Sequence, residues 1–120
     1  MENDHISESE CSAKIRAMED ALYVIGGKWK LRVILALSNG SRRFNEIQRK
    51  VAGITPRVLS AELKDMEANG FLKRKVNIEA TPVIVEYELT AYSYSLKEVV
   101  ESLINWGTMH RIKLKQENGS

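Results

Sequence analysis

Long apolar runs are missing from this chain of 120 residues. None approaches the roughly 18 residues that a membrane-spanning helix requires, so no span is expected. The first ten residues are acidic and polar, where a secretory leader is basic and then apolar, and this points to the cytoplasm. Cys11 is the single cysteine, so no disulfide can close within the chain, in keeping with a reducing compartment. His5 and His110 are far apart and share no ligand spacing with Cys11, so no metal site and no cofactor are expected. There are two prolines, no internal repeats and no low-complexity stretch. With 43% hydrophobic and 28% charged residues, the composition excludes disordered and fibrous classes and fits one globular domain.

Charge is present but unevenly placed. The net charge is +2, yet residues 28–75 carry 12 Lys and Arg against 4 Asp and Glu, while the remainder carries 6 against 12. Such a block suits a polyanionic partner, although exposed helices also carry charge for solubility alone.

Residues 1–10 show no periodicity and read as frayed. From Ile15 onward, Ile15, Met18, Leu22 and Ile25 recur at the three-and-four spacing of one helical side, and Gly26-Gly27 ends that helix. A second helix is expected from Lys28 to about Leu37, with Trp29, Val33, Ile34 and Leu37 facing inward. The turn Ser38 to Ser41 leads to a short helix, Phe44 to Lys50, broken by Ala52-Gly53. The next helix has both ends written in the sequence. Thr55 is its N-cap and Pro56 its first residue; Leu59, Leu63 and Met66 form its buried stripe; and Gly70 closes it in the left-handed conformation, with Phe71 folding back on Met66.

Beyond Gly70 the period becomes two. Residues 72–78 and 83–89 read as a hairpin joined near Glu79 to Pro82, with Val83, Val85, Tyr87 and Leu89 on one side. A last helix of about 20 residues carries Leu96, Val99, Val100, Leu103, Trp106 and His110 at helical spacing. The expected fold is therefore mainly α with a small antiparallel β wing: a winged helix-turn-helix with N- and C-terminal dimerisation helices. The expected organisation is a tail over 1–12, one domain over 13–113 and a tail over 114–120.

Helix, turn, helix and basic hairpin in this order can place one helix in the major groove and the hairpin on the neighbouring backbone or minor groove. On the Thr55 to Asn69 helix the core leaves Arg57, Ser60, Ala61 and Lys64 free near the N-terminal end. Arginine can bond guanine in bidentate fashion, serine can bond bases or phosphate, and lysine more often meets phosphate. Of Lys73, Arg74 and Lys75 on the first wing strand, Arg74 points to the opposite side from its neighbours, so only some can meet one phosphate path. Arg42 and Arg43 precede the short helix, where they could clamp the backbone. Thr55 and Pro56 complete the candidate DNA-binding set. The terminal helices need a cover, and a second copy of the chain supplies one. The candidate dimer residues are Ile15, Met18, Leu22, Leu96, Val99, Val100, Leu103, Trp106 and His110. Ile25-Gly26-Gly27-Lys28-Trp29 lacks phosphate-loop spacing and follows a helix, and no nucleophile elbow or zincin pattern occurs, so an enzyme is not expected.

From about Arg16 to His110 the chain resembles the HxlR-type family of winged-helix regulators, relatives of the MarR group. The resemblance rests on Ala21-Leu22-Tyr23-Val24-Ile25-Gly26-Gly27-Lys28-Trp29, Gly40-Ser41-Arg42-Arg43-Phe44-Asn45-Glu46-Ile47, Gly53-Ile54-Thr55-Pro56-Arg57-Val58-Leu59-Ser60, Glu67-Ala68-Asn69-Gly70-Phe71-Leu72-Lys73-Arg74, Val85-Glu86-Tyr87-Glu88-Leu89-Thr90 and Trp106-Gly107. It implies a cytoplasmic homodimer joined by its first and last helices, binding double-stranded DNA at a near-palindromic operator and repressing or activating nearby genes. It also implies that some relatives respond to oxidants through a cysteine near the start of the first helix. Aligned on Gly26-Gly27, that Cys-Pro pair falls on Arg16-Ala17, and Cys11 lies five residues upstream. Cys11 is thus the one candidate redox position, with an inert thiol preferred. The family's glycine before the last helix is Ser93 here, which implies a local adjustment. A winged-helix module for protein binding is the alternative function, and it would expose an apolar patch on the Thr55 to Asn69 helix. No dedicated effector pocket is legible.

Overall fold

The computed structural model describes residues 5–119. Helix α1 spans Glu8–Ile25, α2 Lys30–Ser38, α3 Phe44–Lys50 and α4 Pro56–Ala68; strands β1 (Leu72–Asn77) and β2 (Ile84–Leu89) follow; a 3-10 turn over Ala91–Leu96 runs into α5, Lys97–Glu117. The chain is a winged helix-turn-helix, mostly helical with one two-stranded antiparallel sheet.

The core lies where α2, α3 and α4 meet the base of the sheet. Val33, Ile47, Leu59, Leu63, Met66 and Leu72 are almost fully enclosed there. The expected end signals of α4 are present. The Thr55 hydroxyl accepts from the amide of Val58 at 3.2 Å, Pro56 opens the helix, and Gly70 at φ +83° lets Phe71 N–H reach the Met66 carbonyl at 2.9 Å. Two glycines end α1 for different reasons. Gly27 has the positive φ, +90°, whereas at Gly26 a Cβ would collide with the Leu22 carbonyl.

In the sheet, Leu72 pairs with Leu89, Lys73 with Glu88, Arg74 with Tyr87 and Lys75 with Glu86. Each strand is one residue shorter at the tip than its sequence pattern suggests, since Ile78 and Val83 lie outside the ladder. The amide of Tyr87 also donates to the Arg42 carbonyl at 2.7 Å, which joins the segment before α3 to the outer edge of β2.

Several boundaries differ from expectation. The expected tail over 1–12 overlaps α1, because Ser7 caps that helix: its hydroxyl accepts from Glu10 N–H at 3.1 Å, and Glu8 and Glu10 favour the positive end of the helix dipole. Residues 1–4 lie outside the described residues. The expected tail over 114–120 likewise begins inside α5, which continues to Glu117 with a Lys113–Glu117 ion pair of 2.7 Å in its last turns. Helix α2 starts at Lys30 and not Lys28, with Trp29 at its N-cap.

The terminal helices behave unlike the rest. Ile25 is the only buried residue of α1, and α5 has none. The radius of gyration is 18.2 Å, against about 14 Å for a compact chain of this length, because both helices project as arms. Two of the expected dimer residues are placed differently from the rest in the single chain. Leu96 closes the 3-10 turn and belongs to this chain's own core. Val100 turns with Ile104 toward α2 and β2, lining an open groove of about 560 Å³. Ser93, where the resemblance implies a glycine, has an ordinary backbone and is buried, with its hydroxyl donating to the Thr90 carbonyl. No described helix is long and apolar enough to cross a membrane.

Candidate nucleic-acid interface

Successive residues of a helix are turned by about 100°, which divides α4 into four sides. Leu59, Leu63 and Met66 take the core side. Opposite them Arg57, Ala61, Lys64 and Ala68 are exposed, with no element of the described residues covering them. One flank faces the wing, where Ser60, Lys64 and Glu67 line a cleft with Arg74 and Tyr87. The other flank carries Glu62 and Asp65, which take the Lys30 ammonium at 2.8 and 3.2 Å. The hydrogen bond to Glu62, more than any other contact, raises the Lys30 pKa. Lys30 is therefore a clamp between α2 and α4, and one cation of the basic block is engaged inside the molecule.

The ten expected DNA-contact residues fall into two groups. Arg57, Ser60 and Lys64 share the outer and wing-facing sides of α4, and Arg74 joins them from β1. Thr55 and Pro56 sit at the entry of α4, with the threonine hydroxyl engaged in the cap. Lys73 and Lys75 project from the other side of the sheet, as strand alternation requires. There Glu88 collects charge: Lys75 Nζ is 3.0 Å away and Arg42 Nη1 3.9 Å. The Lys75 hydrogen bond, then its charge, holds the Glu88 carboxyl below its usual range. Arg43 is exposed beside Arg42, and the amides of both donate to the Glu46 carboxylate at 3.0 and 2.9 Å. Those two bonds lower the Glu46 pKa and anchor the start of α3.

Tyr87 is a site residue that the sequence reading treated only as part of a strand side. It lies across from Arg74 and shares the cleft with Ser60 and Lys64. The expected hairpin already set Tyr87 across from Arg74; what no local signal gives is the approach of that pair to Ser60 and Lys64 of α4.

On the arms, Ile15, Met18 and Leu22 of α1 and Val99, Leu103 and Trp106 of α5 are exposed. His110 stacks on Trp106 with ring centres 4.9 Å apart. Cys11 is exposed within α1. Among the described residues no group of three or more His, Cys, Asp or Glu could hold a metal.

The family model described as HxlR-like helix-turn-helix matches residues 24–115 of this chain. The HTH-type transcriptional regulator YtcD of Bacillus subtilis (strain 168) is 38% identical over 94 residues, covering 78% of this chain and 74% of YtcD. Among solved structures, the redox regulator HypR in its reduced form aligns with a TM-score of 0.75 at 37% identity, over 83% of this chain and 98% of that one. A MarR-family regulator from Enterococcus faecalis V583 aligns with a TM-score of 0.68 at 34% identity, over 96% and 99%. These relatives are transcriptional regulators and not enzymes, in agreement with the sequence reading.

Proposed function

The chain belongs to the HxlR-like helix-turn-helix family of transcriptional regulators, and on that premise we propose that it acts in the cytoplasm as a homodimer on a near-palindromic operator. Each protomer lays the N-terminal half of α4 in the major groove, and its β1–β2 wing meets the flanking backbone or minor groove. The observation that carries this reading is the uncovered side of α4, which presents Arg57 and Lys64 beside Ser60 and Arg74 and no large apolar residue. A protein-binding groove would need an apolar patch there. Arg57 is the base-reading residue in this scheme, and Ser60 bonds base or phosphate. Lys64, Lys73, Arg42 and Arg43 neutralise backbone charge. Arg74 follows the α4 group and Lys75 acts more weakly, because Glu88 holds it.

Pairing through α1 and α5 covers Ile15, Met18, Leu22, Val99, Leu103 and Trp106, which the single chain leaves in water. The experiment is selection of bound duplexes from a random pool. An inverted repeat with half-sites about one helical turn apart is the expected result; recovery of unrelated sequences, or of a single unrepeated half-site, contradicts the proposal.

A further inference from the structure

The wing covers one flank of α4, and the opposite flank leads to a second cluster of cations that the contacts above do not use. Lys28, Arg32 and Lys50 are exposed, and no carboxylate among the described residues comes within ion-pair distance of any of them. Two contacts organise them. The Lys28 ammonium lies 4.7 Å and the Arg32 guanidinium 5.6 Å from the centre of the Trp29 ring, so both charges gather on one indole. That indole rests against the turn between α3 and α4, where its Cη2 is 4.0 Å from the position a Cβ would take on Gly53. Arg32 and Lys50 line one open cleft with Val51 and Ala52 of the same turn. The neighbouring Lys30 is fixed to Glu62 and Asp65, which holds the start of α2 on this flank of α4.

We infer that Lys28, Arg32 and Lys50 form a second phosphate-binding track, which grips the DNA strand on the side of the major groove opposite the wing. The inference rests on the reading of α4 as the groove-entering helix. A helix that enters by its N-terminus brings the turn before it against one wall of the groove while the wing reaches the other. Three unpaired cations at that turn lie where phosphates pass, and they contribute affinity without sequence preference. Trp29 acts as a positioning residue, holding Lys28 and Arg32 together at the turn. Arg49 stays outside the track: it lines only the adjoining cleft with Glu46, whereas Lys50 lines that cleft and the one with Arg32.

The test is a set of salt titrations and hydroxyl-radical footprints with operator and scrambled duplex. The variant Lys28→Gln/Arg32→Gln/Lys50→Gln leaves Trp29 and Lys30 in place. The salt slope is expected to become shallower by roughly three units per half-site, with operator and scrambled duplex losing affinity by the same factor. Protection should vanish at phosphates on the side away from the wing, while the operator preference survives. Lys115→Gln, one charge fewer near the far end of α5, should leave the slope unchanged. Should the triple variant unfold, Lys28→Gln and Lys50→Gln carry the test at about one unit each. A wild-type slope and footprint in a folded variant overturn the inference and leave the α4 reading intact. So does loss of binding to poly-glutamate with DNA binding unchanged, which assigns the cluster to an acidic protein instead. If the wild type prefers no duplex at all, the reading of α4 fails and this inference with it.

Discussion

The centre of the molecule and its two arms use similar apolar patterns to opposite ends. In α4, Leu59, Leu63 and Met66 recur at four and three and are sealed from water. In α5, Val99, Leu103 and Trp106 recur at the same spacing, yet Leu103 is 53% and Trp106 59% exposed. Helical periodicity reports that one side of a helix seeks cover; it does not say whose residues supply the cover. For the centre the cover lies within the chain. For the arms, in the proposed dimer, a second copy supplies it.

The largest expected effect is at the centre. Leu59→Ala removes a fully enclosed side chain and should lower unfolding stability by about 2 to 5 kcal/mol. Urea denaturation at two protein concentrations measures it, and a cost below about 1 kcal/mol would mean that the site collapses around the loss. On the arms, Leu103→Asp should raise the dimer dissociation constant at least tenfold, about 1.4 kcal/mol, while the helical signal of the centre persists. Sizing with light scattering reads this directly. An unchanged dimer would move the interface off this side of α5, and a monomeric wild type at micromolar concentration would remove the second copy altogether.

Arg57→Ala separates the two regions by function. It should cost about 1 to 3 kcal/mol on the operator and much less on scrambled duplex, with pairing untouched. Lys75→Ala should lower both affinities alike, and by less than an unpaired cation would, since Glu88 already neutralises part of its charge. Equal losses on both duplexes for Arg57→Ala would show that α4 does not read bases.

Glu46 offers a smaller, pH-dependent effect. Its folded pKa is depressed by the amides of Arg42 and Arg43. Its stabilisation is therefore complete at neutral pH and is lost as the pH falls below the unfolded value of about 4.3 and through the lower folded value. Melting temperatures of wild type and Glu46→Gln should converge at acid pH and differ at pH 7; a constant difference across that range would refute the assignment. The smallest effect is none. Cys11→Ser should leave operator affinity unchanged under reducing conditions, and release of the wild type but not the variant by oxidant would make Cys11 a sensor.

Much of the centre was legible in the residues. Thr55-Pro56, Gly70-Phe71 and the change to a period of two after Leu72 mark α4 and the wing, because capping and alternation are local. The start of α1 was readable as well: Ser7 and Glu10 have the spacing of a capping box, a signal outweighed by the lack of apolar periodicity before Ile15. The burial of Leu96 within the chain was not legible in the sequence. Leu96 continues the apolar stripe of α5 in spacing, and only the 3-10 turn over Ala91–Leu96 carries it into the core.

The sequence by itself determined the helices, their ends, the hairpin and the concentration of positive charge between Lys28 and Lys75, since each depends on residues within a turn or two of each other. The tertiary structure alone decided which of those charges are available. Lys30 meets Glu62 across 32 residues, and Lys75 and Arg42 converge on Glu88, whereas Lys28, Arg32 and Lys50 gather at a turn with no carboxylate of the described residues within ion-pair distance. Coulomb interactions depend on distance in space and not along the chain, so the same formal charge becomes a clamp at Lys30 and an open contact at Arg32 only when packing has set their neighbours.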